Sequence, residues 1–287
     1  MSILRVIILA IVQGLAELLP VSSSAHVIVA EKLMGMDPSA PDMTLLLVML
    51  HTGTMFAVIV YFWRRWQRAF FRSAGESWKF VWALIWATVL TGIVGYGIIK
   101  AIEDTVFKAQ PHAWVEQLFD RLDLIAPALA AAGVLIIIAG LLEGRRKSKD
   151  LSNAGISTKQ SLLVGAVQGL CLPFRGFSRS GATISTGMLA GVPRMEAEDF
   201  SFALAVLLTP AAVGREVLRL LQTVHAGGGE LHAAIVPSLI GTVFAFLAGL
   251  LALKWLSRWL ENGRWYLFGI YCLIAAAAVA LLYHAGY

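Results

Sequence analysis

Residues 176–183 read Gly-Phe-Ser-Arg-Ser-Gly-Ala-Thr, a polar stretch with apolar sequence on both sides. Upstream, residues 162–170 read Leu-Leu-Val-Gly-Ala-Val-Gln-Gly-Leu, and downstream, residues 184–190 read Ile-Ser-Thr-Gly-Met-Leu-Ala. The polar stretch therefore lies where a membrane protein would place hydrocarbon-facing sequence. Because an arginine among hydroxyls is costly at membrane depth, Arg179 is best explained by a function.

The composition indicates an integral membrane protein. Of the 287 residues, 58% are hydrophobic and 14% are charged, which lies far outside the average for soluble proteins. The formal net charge of +5 does not indicate nucleic-acid binding, because the cations lie in links between apolar runs. Cys171 and Cys272 lie far apart without metal-type spacing, which argues against a disulfide framework.

The N-terminal sequence predicts a re-entrant helical hairpin. Residues 4–19 have a helical pattern, Pro20 ends this helix, and the serines at 22–24 are expected to cap a second helix over about 25–33. Neither helix reaches the roughly 20 residues that a membrane crossing needs. Two half-length helices around a polar break are tolerated only where their tip is buried in protein or lines a cavity.

The same pattern occurs a second time. Val-Gln-Gly-Leu at 12–15 is repeated at 167–170, and the break Val-Ser-Ser-Ser-Ala at 21–25 is matched by Phe-Ser-Arg-Ser-Gly at 177–181. Leu-His-Thr at 50–52 has a weaker match in Leu-Leu-Thr at 207–209. Three matches in the same order predict an internal duplication, with repeats of approximately 1–150 and 151–287 inside a single integral membrane domain, 1–287.

Each half also contains three apolar runs long enough to cross a bilayer. They cover 43–63, 78–99 and 124–142 in the first half, and 200–221, 235–255 and 265–283 in the second. An odd number of crossings forces the second half to be inverted. The predicted fold is an all-α polytopic membrane protein, with six transmembrane helices and two re-entrant helical hairpins arranged as an inverted repeat, as in many transporters.

Small and aromatic residues of these runs are assigned to packing and anchoring. The glycines interpreted as close-packing positions are Gly92, Gly95, Gly97, Gly241 and Gly249. The aromatic residues interpreted as interfacial anchors near the ends of runs include Trp63, Trp66, Trp78, Trp265 and Tyr283.

The charges of the links predict the orientation. Lysine and arginine are concentrated in 64–79, in 145–149 and near the end of the fifth run, so these links are expected to be cytoplasmic. The acidic link 103–123 and both termini then lie outside. The two hairpins would enter from opposite faces and bring their tips together inside the membrane.

The two predicted tips are alike in position and unlike in chemistry. Arg179, with the hydroxyls of Ser178, Ser180 and Thr183, has the donors of an oxyanion clamp, because a guanidinium fork suits phosphate. A helix N-terminus here would also aim backbone N–H groups at an anion. The alternative is that Arg179 neutralises Glu17 across the hairpins while the hydroxyls act only as caps.

The first tip supplies a carboxylate and a histidine. Glu17 has the hard oxygens that a divalent cation prefers, or would serve as a base, unless local hydrogen bonds merely satisfy it. His26 follows Ser23 by three residues, close enough to exchange a proton with its hydroxyl, although a lone histidine is often structural. His51 and Thr52 would reach the site or cross-link helices.

These motifs closely resemble those of the undecaprenyl-diphosphate phosphatases of the bacitracin-resistance type. The resemblance rests on Gln-Gly-Leu-Ala-Glu at 13–17, Pro-Val-Ser-Ser-Ser-Ala-His at 20–26 and the stretch at 176–183, and it extends over nearly the whole chain. It implies removal of one phosphate from undecaprenyl diphosphate at the outer side of the bacterial inner membrane. This reaction would recycle the lipid carrier for peptidoglycan synthesis and confer bacitracin resistance, with a divalent cation, usually Mg²⁺ or Ca²⁺.

The resemblance also implies roles for individual residues. Glu17 matches the essential acid of the family and Gln13 the first position of its glutamate-rich motif, so both are candidate metal ligands. Ser23 and His26 match the serine and histidine of the first hairpin. The phosphate-binding motif falls on Ser178, Arg179 and Thr183. The chain departs from the family at Arg175, because Pro-Gly usually precedes the Ser-Arg-Ser.

Several alternatives remain open from the sequence. Either Ser23 attacks the terminal phosphorus with help from His26, or a metal-bound water does. A transporter or flippase for a prenyl phosphate would share the inverted repeat. The type-2 phosphatidic-acid phosphatases share only the Ser-Arg pair and are set aside. The expected partners are the bilayer and a polyprenyl diphosphate lipid, without nucleic acid, and the choice between a monomer and a homodimer stays open.

Overall fold

The structure, a computed structural model, describes residues 2–37, 41–70, 73–106, 118–143, 155–225, 232–260 and 264–287. The helices within these ranges are α1 (Ile3–Leu18), α2 (Ser23–Leu33), α3 (Pro41–Phe70), α4 (Ala74–Val106), α5 (Leu122–Glu143), α6 (Thr158–Cys171), α7 (Arg179–Leu189), α8 (Arg194–His225), α9 (His232–Leu260) and α10 (Tyr266–His284). The all-α prediction is confirmed. The basic link 145–149 and part of the acidic link 103–123, on which the predicted orientation depends, lie outside the described residues.

Four of these helices are too short to cross a bilayer. α1 and α2 have 16 and 11 residues, and α6 and α7 have 14 and 11. At 1.5 Å per residue, the longest extends about 24 Å, against a hydrocarbon core of about 30 Å. Pro20 and Pro173 follow α1 and α6, as expected because proline lacks the N–H that would continue a helix.

In the described part of the chain, five helices are long and apolar enough to cross a membrane. Their spans are Leu45–Arg68 in α3, Gly75–Val106 in α4, Leu122–Glu143 in α5, Ile235–Trp255 in α9 and Tyr266–His284 in α10. The protein is therefore a multi-span membrane protein. The sixth predicted span, 200–221, falls within the 32-residue helix α8, of which the structure describes only some of the side chains. A crossing by α8 and the re-entrant placement of the short helices stay predictions.

The helices pack through close contacts at small residues. α1 packs against α9, where a Cβ at Gly14 would lie 2.6 Å from Cβ of Ala248. α5 packs against α10, where a Cβ at Gly133 would lie 2.8 Å from the carbonyl oxygen of Gly269. Such positions let helix backbones approach each other where lipid supplies no hydrophobic force between helices.

The glycine prediction is right at three positions and wrong at two. A Cβ at Gly95, Gly241 or Gly249 would meet a neighbouring helix at 3.0 Å or less. Nothing described lies within 4 Å of a Cβ at Gly92 or Gly97. These two glycines lie on the exposed face of α4. The sequence pattern did not distinguish this face from the one that contacts other helices.

The anchor prediction is wrong for Trp265 and Trp66. Trp265 is fully buried, and its indole Nε1 donates to Ser185 Oγ at 3.0 Å. Trp66 is also buried, whereas the side chains of Trp63 and Trp78 are more than half exposed. A helix end has a protein-facing side as well as a lipid-facing side, so proximity to the end does not by itself predict an interfacial ring.

Candidate active site

The tip between α1 and α2 is in direct contact with the tip between α6 and α7. The backbone N–H of Gly176 donates to Ser24 Oγ at 3.3 Å. Ser180 Oγ donates to the carbonyl oxygen of Leu19 at 3.2 Å. Residues 19–24 and 176–180, far apart in the chain, therefore form one polar site.

Both tips turn through left-handed backbone. Gly176 has a φ of 98°, which glycine adopts readily, and Ser22 has a φ of 68°, which serine adopts rarely. α2 begins at Ser23 rather than at residue 25, and Ser22 occupies its N-cap position without a side-chain capping bond. The predicted capping role of Ser22 is therefore wrong, because its hydroxyl is paired instead with Ser24 Oγ at 3.3 Å.

Glu17 is the centre of the site. Arg179 Nη2 donates to its Oε1 at 2.9 Å, and Gln13 Nε2 donates to its Oε2 at 3.1 Å. The hydroxyl of Ser23 donates to the same Oε2 in a short hydrogen bond. His51 Nε2 lies 3.8 Å from Oε2. Four polar side chains from α1, α2, α3 and α7 thus converge on one carboxylate.

Arg179 has donor capacity that Glu17 does not use. The ion pair across the hairpins, considered as the alternative to a phosphate clamp, is present. However, Nη1 of Arg179 is buried and has no hydrogen-bond partner among the described residues. A buried guanidinium donor without a partner is unfavourable, so this nitrogen favours an anion at the site.

A small cavity of about 20 Å³ opens beside this cluster. Its walls come from α1, α3, α7 and α8. The lining residues are Glu17, Leu18, His51, Thr54, Met55, Val58, Arg179, Ala205, Val206 and Thr209. The carboxylate of Glu17 and the guanidinium of Arg179 therefore share a cavity whose other walls are largely apolar.

The three predicted clamp hydroxyls are engaged within the protein. Ser178 is the N-cap of α7 and accepts from the N–H of Gly181 at 3.2 Å. Ser180 Oγ donates to Leu19 in the other tip, and Thr183 Oγ1 is hydrogen-bonded to Ser201 Oγ at 2.6 Å. All three side chains are buried. They support the shape of the second hairpin, and their contact with phosphate stays a prediction.

His26 is oriented by groups other than Ser23. Its Nδ1 lies 2.7 Å from the carbonyl oxygen of Ser22, and its Nε2 lies 2.7 Å from the hydroxyl of Tyr271 on α10. The proton exchange between His26 and Ser23 that the sequence suggested stays a prediction. Tyr271 was missed at the sequence level, because a tyrosine inside an apolar run has no local signal for a partner 245 residues away.

Of the pair His51 and Thr52, only His51 reaches the site. Thr52 Oγ1 donates to the carbonyl oxygen of Val48 at 2.8 Å, a bond within its own helix. His51 lines the cavity, and its Nδ1 lies 2.8 Å from the carbonyl oxygen of Leu47. The sequence had left open whether His51 and Thr52 reach the site or cross-link helices.

Comparison with known proteins gives the family. A family model described as bacitracin resistance protein BacA matches residues 6–278. The chain belongs to this family. It is 56% identical over 286 residues to the Undecaprenyl-diphosphatase 2 of Acinetobacter baylyi, with 98% of each chain covered.

More distant members of the bacitracin resistance family match over similar lengths. The Undecaprenyl-diphosphatase of Rhodopirellula baltica is 32% identical over 284 residues, covering 98% of each chain. The Undecaprenyl-diphosphatase 2 of Burkholderia ambifaria is 34% identical over 286 residues, covering 96% of this chain and 95% of the relative. The resemblance seen in the motifs therefore extends over the whole length.

Arg175, where the chain departs from the usual motif of the bacitracin resistance family, lies beside an aromatic ring. Its guanidinium carbon is 4.5 Å from the ring centroid of Phe119, a cation–π distance. The backbone N–H of the next residue, Gly176, contacts Ser24 as described above. Arg175 thus packs against the segment that precedes α5, and the turn that follows Arg175 contacts the first hairpin.

The donor set of this family member fits a divalent cation only in part. Among the described residues, no group of three or more His, Cys, Asp or Glu side chains could hold a metal ion. Glu17 is the single carboxylate among the described residues that line the cavity, and Gln13 directs its amide nitrogen at this carboxylate. One carboxylate is the minimum for Mg²⁺, which is commonly bound by one or two carboxylates together with substrate phosphates, so a metal site here stays a prediction.

Proposed function

We propose that this membrane protein hydrolyses undecaprenyl diphosphate to undecaprenyl phosphate and inorganic phosphate, which recycles the lipid carrier for peptidoglycan synthesis and confers bacitracin resistance. The observation that carries the proposal is the convergence of Ser23 and Arg179 on Glu17 from two different hairpins. A hydroxyl beside a carboxylate base and a guanidinium is suited to phosphoryl transfer. The names of the relatives agree with this chemistry.

Ser23 is the proposed nucleophile and Glu17 its base. The hydroxyl already donates to Glu17 Oε2, so the carboxylate accepts the proton as Oγ attacks the terminal phosphorus. The Oγ–P bond forms, the anhydride P–O bond breaks, and undecaprenyl phosphate leaves with the proton from Glu17. Water then attacks the phosphoserine and gives a proton to Glu17, which returns it to Ser23 as inorganic phosphate is released.

Arg179 stabilises the charge that develops on the phosphoryl oxygens. Its Nη1 is the free donor for an oxygen of the diphosphate, while Nη2 keeps the guanidinium aligned with Glu17. The N-terminus of α7, where Arg179 is the first residue, adds partial positive charge.

Glu17 and Gln13 are the residues proposed to hold a divalent cation, Mg²⁺ or Ca²⁺, jointly with the diphosphate of the substrate. The cation would neutralise charge on the phosphate oxygens. Removal of divalent ions by a chelator is expected to stop phosphate release, and addition of Mg²⁺ to restore it.

We also propose that the hairpins α1–α2 and α6–α7 enter the bacterial inner membrane from opposite faces, with the site open to the periplasm. The lengths of the four helices support hairpins that do not cross the membrane. The packing supports the inverted repeat as well. α1 contacts α9, and α6 contacts α4, and these two contacts correspond when the first five helices are matched in order with the last five. The expected partner is a polyprenyl diphosphate lipid in the bilayer.

The decisive experiment uses purified protein with undecaprenyl diphosphate and Mg²⁺. Phosphate release that a chelator abolishes is the expected result. Lipid transfer across a proteoliposome bilayer without phosphate release would instead identify a transporter or flippase.

Replacing Arg179 by Lys tests the clamp. Lysine keeps the positive charge but lacks the planar, bidentate donors of the guanidinium, so we expect kcat/KM to fall by about 100-fold or more. Arg64→Lys, at an exposed arginine of α3, is the control and should retain the parent rate. Near-parent activity of Arg179→Lys would contradict the clamp.

A further inference from the structure

Tyr271 makes two contacts with His26 that the proposed reaction does not yet use. The hydroxyl of Tyr271 lies 2.7 Å from His26 Nε2. The two rings are also stacked, with centroids 5.6 Å apart and planes inclined by 10°. Tyr271 belongs to α10 and His26 to α2, so these contacts join the last helix of the chain to the first hairpin.

The partners of His26 define its tautomer. Nδ1 lies 2.7 Å from the carbonyl oxygen of Ser22, which can only accept a hydrogen bond, so Nδ1 carries the hydrogen and donates. Nε2 of the neutral ring is then an acceptor, and the hydroxyl of Tyr271 donates to it. Both ring nitrogens are used, and neither is directed at the hydroxyl of Ser23.

The bond from His26 ends at an unusual piece of backbone. Ser22 is the only non-glycine residue with positive φ in the described part of the chain. Such a conformation persists only where surrounding contacts hold it. Ser22 immediately precedes Ser23, whose hydroxyl donates to Glu17. The carbonyl group that accepts from His26 therefore lies in the peptide unit that joins Ser22 to Ser23.

We propose that Tyr271 is a positioning residue for phosphoryl transfer, acting through His26. Its hydroxyl keeps His26 in the tautomer that donates to the carbonyl of Ser22, and this bond aims Ser23 at Glu17. The inference rests on the proposed function of Ser23. It also gives His26 a definite task that needs no proton exchange with Ser23.

The test is Tyr271→Phe, which keeps the stacked ring and removes the hydroxyl. We expect kcat for phosphate release to fall about tenfold or more with KM unchanged, as for other groups that orient a histidine. In a His26→Gln background the same change should have no further effect, because both residues act through one contact. A merely structural role would instead lower stability and add to the loss.

Tyr283→Phe is the matched control. Tyr283 lies on the same helix, and its side chain is exposed to the same extent, 46%, as that of Tyr271. This variant should behave as the parent protein. Thermal unfolding in detergent, expected to be similar for all variants, shows whether a loss of rate reflects a loss of fold.

A second readout does not depend on activity. The ¹⁵N chemical shifts of the His26 ring, assigned by their absence in His26→Gln, should show the Nδ1–H tautomer in the parent protein and a mixture of tautomers in Tyr271→Phe. An Nε2–H tautomer in the parent, or a parent-like kcat in Tyr271→Phe, would overturn the inference. A parent protein that releases no phosphate would instead overturn the proposed function.

Discussion

Ser23 and Glu17 are six residues apart and yet share a hydrogen bond, because the chain turns back after α1. Pro20 ends the helical pattern, and Ser22 reverses the backbone through its positive φ. At the scale of single residues, the site therefore depends on a short turn that brings a hydroxyl onto a carboxylate. The same turn leaves His26 with both ring nitrogens engaged elsewhere.

Ser23→Ala is the direct test of the nucleophile. If Ser23 forms the phosphoserine, we expect phosphate release to fall by about 1000-fold or more, as for other nucleophile deletions. Acid quenching with substrate labelled at the terminal phosphate should trap the label on the parent protein and not on the variant. Ser24→Ala is the neighbouring control, with an expected change of less than about tenfold, since Ser24 bonds the second tip and not Glu17. Parent-like turnover of Ser23→Ala would identify water as the nucleophile.

At the scale of helices, the contact between α4 and α6 depends on glycine. A Cβ at Gly165 would lie 2.7 Å from the Cα atom of Ala87, which is backbone and cannot move aside easily. Thr91 Oγ1 donates to the carbonyl oxygen of Gly165 at 2.9 Å across the same contact. α6 leads directly into the second tip, so a displacement of α6 would also displace Arg179.

Gly165→Ala is therefore expected to destabilise the protein by about 1–3 kcal/mol, as overpacking does elsewhere. Gly97→Ala, on the outer face of α4, makes the same chemical change where nothing described lies within 4 Å. Because alanine is the better helix former, this control should be neutral or stabilising by up to about 1 kcal/mol. Thermal unfolding in one detergent measures both variants. Equal unfolding temperatures would contradict the close packing of α4 against α6.

At the scale of the whole molecule, the predicted orientation can be tested at the two ends of α4. Asp104 and Glu76 are exposed near opposite ends of this helix. In a chain whose Cys171 and Cys272 are replaced by alanine, Asp104→Cys should react with a membrane-impermeant maleimide on intact spheroplasts. Glu76→Cys should react only after permeabilisation. The opposite pattern would invert the protein in the membrane and move the periplasmic opening to the cytoplasm.

The short and long helices were predictable because their signals are local. Apolar runs of about 20 residues predict spans, and proline with serine after a shorter run predicts a break. These patterns anticipated α1 and α2 to within a few residues, a second break between two apolar segments where α6 and α7 lie, and the five apolar spans. They could not distinguish the two faces of one helix, and Gly97 and Trp265 were assigned to the wrong faces for that reason.

The sequence by itself determined that this is an all-helical membrane protein of the bacitracin resistance family, with Glu17, Ser23 and Arg179 as the chemical candidates. The motifs are enough for that, since each consists of five to eight consecutive residues. Only the tertiary structure decided which partners these groups have. Arg179 meets Glu17, and Tyr271 meets His26, through contacts 162 and 245 residues apart in the chain. The hydrophobic periodicity of a sequence does not indicate such contacts, because they arise when separate helices pack against one another.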